Sequence, residues 1–204
     1  AAKNINITVW EADKLPDLWV DKVYKRYDTS AVIVPSSWNQ EVFSKQIGDR
    51  NCYLVPHTLD ESIVQPSSLP LLNGLKDKFV VFAMSQWQNR KGFDKLIQAF
   101  CMEFGNQEDA VLIIKTYGVL MFNYPQTPEE QAQKIAQEIV NYKQSVYLEG
   151  AKSPRSSILL IPNVVPYSEI SAIFERADLF ALLTRGEGFG LPIAESLLHG
   201  TPVL

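Results

Sequence analysis

Short apolar runs alternating with helical periodicities constrain this chain most, because strands placed side by side in parallel each need a crossover helix between them. In the second part of the chain, residues 79–84, 111–114, 158–161 and 179–183 are continuous apolar runs of strand length. Between them, Phe93, Leu96, Ile97 and Phe100 fall at i, i+3, i+4 and i+7, Ala132, Ile135, Ala136 and Ile139 share one helical face, and Ile170, Ile173, Phe174 and Ala177 mark another. Thr127-Pro128-Glu129-Glu130 supplies an N-cap, a proline at the first helical position and the glutamate of a capping box. The expected fold is α/β with parallel sheets.

The first part alternates in the same way. Residues 5–9 read as a strand, and Asp13-Lys14-Leu15-Pro16 as a turn into a helix whose apolar positions are Leu18, Trp19, Val23 and Tyr27. Residues 31–34 and 52–55 read as strands, and Ser37 with Gln40 predicts a capping box for a helix over 38–47 that Gly48 ends. From residue 61 to 78 the prolines, serines, Asn73 and Gly74 break every period, as an inter-domain linker would. The expected domains are 1–64, a linker at 65–77, and 78–204.

Composition narrows the function classes. With 204 residues, 46% hydrophobic and 21% charged, the chain can bury a core, and a net charge of −4 argues against a nucleic-acid partner. No apolar run reaches bilayer length, and residues 1–10 lack the marks of a signal peptide, so a cytoplasmic protein is expected. Cys52 and Cys101 lack metal-ligand spacing and read as reduced core thiols. His57 and His199 are the only histidines, so no histidine-rich metal site is expected, and His57 reads as structural. Trp38 and Trp87 read as core or cleft-edge residues.

The densest motif is Arg185-Gly186-Glu187-Gly188-Phe189-Gly190-Leu191-Pro192-Ile193-Ala194-Glu195. Its alternate glycines let the backbone come close to a ligand, and Pro192 suits the first turn of a helix that Gly200 and Pro202 stop near His199. The free N–H groups of Gly190, Leu191 and Ile193 would form an anion site at that helix start. Glu187 and Glu195, eight positions apart, would flank the anion with acceptors for sugar hydroxyls, the layout of a nucleotide sugar. A glycine-rich turn with two solvated glutamates is the alternative.

Ligands of open parallel sheets bind beyond the carboxyl ends of the strands. The loops 85–91, 115–118, 163–166 and 184–191 leave those ends and should converge. Arg90 and Lys91, at the start of the helix after the first of these strands, would face the anion site with positive charge. Exposed basic residues at a helix start oppose the dipole by about 0.3–1 kcal/mol each, which a bound polyanion would offset; a solvated basic pair is the alternative.

On these residues the chain resembles the retaining GT-B glycosyltransferases of the group one / family four class. The Glu187-to-Glu195 stretch followed by Gly200-Thr201-Pro202-Val203 is similar to that class's paired-glutamate signature, and Arg90-Lys91-Gly92 with Ala99-Phe100 to its phosphate-binding segment. Trp10-Glu11 through Pro16, Pro35-Ser36-Ser37-Trp38 and Val55-Pro56-His57 look like the last third of its acceptor domain. The resemblance implies Rossmann-like parallel sheets of the GT-B type, with a partial acceptor domain and most of the donor domain. It implies that Glu187 contacts the donor sugar as the catalytic residue and that the N–H groups of Gly188, Phe189, Gly190 and Leu191 hold sugar and diphosphate. By the same resemblance Lys91, aided by Arg90, neutralises the diphosphate, Glu195 accepts from the ribose hydroxyls, and the backbone near Val164 meets the base. It implies a metal-independent reaction without a cofactor, the nucleotide sugar being substrate. Two departures stand out. Gln86 occupies the place of a common family arginine, and the chain covers neither the start of the acceptor domain nor the end of the donor domain.

The leading expectation is an enzyme fragment whose parent transfers a sugar from a nucleotide diphosphate sugar to a glycan, lipid or small-molecule hydroxyl with retention. A phosphorylase or synthase on the same fold, and a non-catalytic nucleotide or nucleotide-sugar binding module, are the alternatives. Turnover of sugar separates enzyme from module. Peripheral membrane association of the parent and self-association through uncovered strand edges are compatible with the sequence.

Overall fold

The computed structural model describes residues 4–25, 29–48, 51–64, 68–105, 109–117, 127–146 and 157–204. They form two compact units, one of Ala1–Leu59 with Gly186–Gly190, the other of Asp60–Arg185 with Leu191–Leu204.

In the first unit, strands β1 (Asn4–Ile7), β2 (Thr29–Val34) and β3 (Cys52–Leu54) make a parallel sheet in the order β1-β2-β3, with Ile33 opposite both Ile7 and Tyr53. Helix α1 (Asp17–Trp19) runs into a π-helical turn, Val20–Lys25. Its apolar face differs from expectation: Leu18 and Trp19 are exposed, and Leu15 and Val20 are buried, while the Val23 side chain and Tyr27 lie outside what the structure describes. Helix α2 (Ser37–Ile47) is capped by Ser36, whose hydroxyl accepts from the Asn39 amide at 3.1 Å. The cap therefore sits one residue before the expected Ser37, and Gln40 donates to the Cys52 carbonyl at 2.9 Å instead of closing a capping box.

One face of α2 carries Asn39, Val42, Phe43 and Gln46. Val42 and Phe43 join the core with Val32, Val34 and Cys52. Asn39, fully buried, donates to the Trp10 carbonyl at 2.7 Å and accepts from its amide, and Gln46 makes the same two-way contact with Leu15. The two side-chain amides satisfy the backbone of a non-repetitive segment as another strand would.

In the second unit, strands β4 (Phe79–Met84), β5 (Ala110–Lys115), β6 (Ser157–Ile161) and β7 (Leu179–Phe180) form a parallel sheet in the order β6-β5-β4-β7. Both faces are covered. Val81, Ala83, Leu112 and Ile114 pack against helices α3 (Phe93–Phe104) and α4 (Pro128–Ser145), whereas Val80, Phe82, Val111 and Ile113 pack against α5 (Tyr167–Arg176), Phe180 and Leu75. This two-sided burial is why the strands read as unbroken apolar runs. The capping box at Thr127 and Glu130 forms as expected, but on α4 only Ile135 and Ile139 of the expected apolar face are buried, and Ala136 is exposed. β7 is shorter than the apolar run at 179–183, although Leu182 still donates to the Leu204 carbonyl at 3.1 Å.

Before β4, the segment Pro70–Leu75 is a 3₁₀ helix, and Leu69, Leu72 and Leu75 pack on the second core. Arg176, at the end of α5, donates to the carbonyls of Leu75 and Lys78 and pairs with Asp178 at 3.1 Å. Asp178 in turn accepts from the Val80 amide at 2.8 Å. No described helix is long and apolar enough to cross a membrane.

Candidate functional site

The carboxyl ends of β4, β5, β6 and β7 lie along one edge of the second sheet. After β4 the chain makes a 3₁₀ turn, Asn89–Lys91, then passes Gly92 into α3. Gly92 has φ +72°, and a Cβ there would stand 1.9 Å from the Leu183 carbonyl oxygen, so only glycine lets the turn approach the chain beyond β7. The two segments are fastened: the Arg185 amide donates to the Arg90 carbonyl at 2.7 Å, and the Thr184 hydroxyl to the same oxygen at 3.3 Å.

The basic pair is thus placed differently from the exposed helix start expected. Arg90 and Lys91 precede α3 in a separate turn, Lys91 is buried, and the first turn of α3 carries Asp94. The Arg185 guanidinium pairs with Asp94 at 3.0 Å and donates to the Asn89 carbonyl. Burial works to raise the Asp94 pKa, yet the hydrogen bonds from Arg185 and Lys95 and their charges hold it below the ordinary value.

At the end of β5, Lys115 and Thr116 are buried, and the Thr116 hydroxyl donates to the Ser85 carbonyl at 2.7 Å. Gly118, the end of the expected loop, lies outside the described residues. Beyond β6, Val164 is 95% exposed. A cavity of about 250 Å³ opens beside it, lined by Tyr117, Gln131, Ile135, Pro162 and Asn163.

Helix α6 (Leu191–Leu198) starts after Gly190, whose φ is +81°, and is closed by Gly200 at +76°. Ser196 donates to the Thr201 carbonyl at 3.0 Å, and the Thr201 hydroxyl to the Phe174 carbonyl at 2.6 Å, so the small-residue turn after the helix is buried against α5. Glu195 is half-buried, and burial raises its pKa against the lowering influence of Tyr167 and His199. Tyr167 answers from α5: burial and the Glu195 carboxylate raise its pKa, yet among the described residues its hydroxyl has no hydrogen-bond partner of standard geometry. His199 stacks on Phe174 with ring centres 5.0 Å apart. Its Nδ1 lies 2.8 Å from the Glu195 carbonyl, which can only accept, so Nδ1 carries a proton, and its Nε2 lies 2.8 Å from the Ser171 hydroxyl.

The loop Gly186–Gly190 belongs to the first unit, with Glu187 half-buried in it. A Cβ on Gly188 would stand 1.9 Å from Val9 Cγ2, and the Phe189 ring meets His57 edge-on at 4.9 Å. Of the residues expected at the site, Arg90, Lys91, Val164, Leu191 and Glu195 lie in the second unit, and Glu187, Gly188, Phe189 and Gly190 in the first. Tyr167, Ser171 and His199 were not expected at the site, and Lys115 was expected there only as the first residue of the loop 115–118. Only Lys115 carried a local signal, a lysine directly after the apolar run 110–114. Among the described residues, no three His, Cys, Asp or Glu side chains are grouped to hold a metal.

Residues 72–204 match the family model described as glycosyl transferases group 1. The chain is 22% identical over 187 residues to the mannosylfructose-phosphate synthase of Agrobacterium fabrum, spanning 89% of this chain and 38% of that protein. Among solved structures it resembles the pneumococcal O-GlcNAc transferase GtfA in complex with UDP and GlcNAc, with TM-score 0.67 and 15% identity, covering 98% of this chain and 37% of that one. It also resembles the sucrose-phosphate synthase of Thermosynechococcus elongatus, with TM-score 0.62 and 17% identity over 86% of this chain and 40% of that one. The chain thus spans less than half the length of each of these proteins. The parallel α/β fold is that of the GT-B glycosyltransferases. With the turn, the sheet edge and the α6 region all inside the matched range, the chain belongs to the group 1 glycosyl transferase family.

Proposed function

We propose that the protein carrying this chain transfers a sugar from a nucleoside diphosphate sugar to an acceptor hydroxyl, with retention of configuration and without a metal. The observation that carries this reading is the buried Lys91 turn, locked to the chain beyond β7 by Gly92, Thr184 and Arg185 at the carboxyl edge of the sheet.

In this reading Lys91 and Arg90 face the diphosphate, and the N–H groups from Gly188 to Leu191 meet its oxygens. Charge grows on the diphosphate as the glycosidic bond breaks, so these donors act more strongly on the transition state than on the bound donor. Glu195 accepts from the ribose hydroxyls, the cavity beside Val164 receives the base, and Glu187 accepts from the sugar hydroxyls as the catalytic residue. The named relatives make different products, so the acceptor is proposed only as a hydroxyl of a sugar, glycan or lipid. The chain's site works without a cofactor in this scheme. Self-association and peripheral membrane contact belong to the proposal as well, the former through exposed apolar residues of the first sheet such as Ile5, Ile7 and Tyr53.

Calorimetric titration of the chain with UDP, GDP and ADP, with and without their common sugars attached, tests the reading. Micromolar binding of one nucleotide, weakened about 10–100-fold by Lys91→Ala and by Glu195→Ala, is expected, since each charge-assisted contact contributes about 1.5–3 kcal/mol. In the intact protein, Glu187→Ala should abolish most transfer while leaving the fold in place. Undiminished transfer would remove Glu187 from its role.

A further inference from the structure

Lys115 ends β5, the strand next to β4, after five buried apolar positions, and is itself only 6% exposed. Strand alternation puts it on the face of Val111 and Ile113, and its register neighbours Met84 and Ile161 pack against that same apolar cluster. Among the described residues it forms no ion pair. Among those residues the partner of its ammonium is the Tyr117 ring, 5.9 Å away. A buried ammonium is costly unless a charge or several acceptors compensate it, and such lysines are normally paired with a carboxylate. Burial accordingly pushes its pKa down.

The position is not a remote part of the core. Lys115 lies at the carboxyl edge, where the Ser85 amide donates to its carbonyl at 3.2 Å, and Ser85 opens the segment that leads to Arg90 and Lys91. A cation that no described carboxylate pairs, at the end of the sheet where an anionic ligand is expected, is a charge whose counterpart arrives with that ligand.

We propose that Lys115 is a further donor-binding residue, whose ammonium meets a phosphate oxygen of the nucleoside diphosphate from the carboxyl end of β5. The inference rests on the donor-binding reading above and adds to it a cation outside the paired-glutamate motif and outside the Arg90-Lys91 turn. In the empty protein this cation is an energetic burden, so its neutral replacement should affect stability and binding in opposite directions.

Lys115→Met keeps an unbranched side chain one atom shorter and removes the charge, Lys115→Gln is a second neutral variant, and Lys115→Arg keeps the charge. Binding of UDP, GDP and ADP and of the corresponding nucleosides to the 204-residue chain is measured by calorimetry, and unfolding without nucleotide by thermal melts. The expected result is that the neutral variants melt at or above the wild-type temperature but bind the diphosphate at least 10-fold more weakly. Nucleoside binding should change less than about 2-fold, and Lys115→Arg should keep most of the diphosphate affinity. Unchanged diphosphate affinity in whichever neutral variant folds would overturn the role of Lys115 while leaving the donor-binding reading in place. Failure of the wild-type chain to bind any of the three diphosphates would instead overturn that reading and this inference with it.

Discussion

Gly92 and the carbonyl oxygen of Leu183 are so close that a methyl group on Gly92 would lie 1.9 Å from that oxygen. The contact joins the turn after β4 to the chain beyond β7, and the Thr184 hydroxyl and Arg185 amide of that same chain segment bond the Arg90 carbonyl of the turn. Lys91 is held in its buried place by this backbone junction and not by helix geometry.

Gly92→Ala should therefore act on stability and binding together. The left-handed φ of +72° costs a non-glycine residue about 1–2 kcal/mol. The clash with a backbone atom, which cannot rotate away, adds about 1–3 kcal/mol. Urea unfolding should show a loss of about 2–5 kcal/mol, and nucleotide binding should fall further than Lys91→Ala makes it fall, because the whole turn is displaced. A variant as stable as the wild type would show that the turn can move without cost.

The Arg176 cluster makes a separate prediction about the scaffold. Its guanidinium closes the backbone before β4 onto the end of α5, and Asp178 bridges it to the Val80 amide. Arg176→Ala leaves the Leu75 and Lys78 carbonyls and the Asp178 carboxylate short of donors. Hydrogen bonds to charged groups contribute about 1.5–3 kcal/mol each but do not add fully, so a loss of about 2–4 kcal/mol is expected in chemical unfolding. Nucleotide affinity, measured where the variant is folded, should be unchanged within about 2-fold, since no residue of the carboxyl edge is touched.

What the sequence made legible follows the range of the interactions involved. Phe93, Leu96, Ile97 and Phe100 could be read because the helical period alone places them on one face, and all four are buried. The two-sided burial of β4 and β5 showed as unbroken apolar runs. Local ambiguities went the other way. Ser36 and Ser37 can each cap α2, and the choice falls to Ser36 because Gln40 is drawn to the Cys52 carbonyl. Ala136 suits either face of α4 and is too small to decide. The run at 179–183 looks like a five-residue strand, but the described ladder to β4 stops at Phe180. The site shows the same division. Glu187, Glu195 and Lys91 were marked by motif, whereas Tyr167 and His199 matter through partners on another helix, and no local pattern records that His199 will stack on Phe174 and meet Ser171.

Glu195 supplies the pH-dependent prediction. Burial raises its carboxyl pKa in the folded chain above the value of about 4.3 that an unfolded glutamate has. Between the unfolded and folded values the folded state binds more protons than the unfolded state, so stability falls as pH rises through that window and stays reduced above it. Glu195→Gln has no proton to lose there. It should melt at a higher temperature than the wild type at pH 7, with the difference shrinking as pH falls and vanishing near pH 4. The same variant should bind nucleotide more weakly at pH 7, because an amide offers the ribose hydroxyls one neutral acceptor in place of a carboxylate. Thermal melts from pH 4 to pH 8, with and without nucleotide, separate the two effects. A variant that melts below the wild type at pH 7 would mean that the charged carboxylate is better compensated in the folded chain than Tyr167 and His199 alone allow.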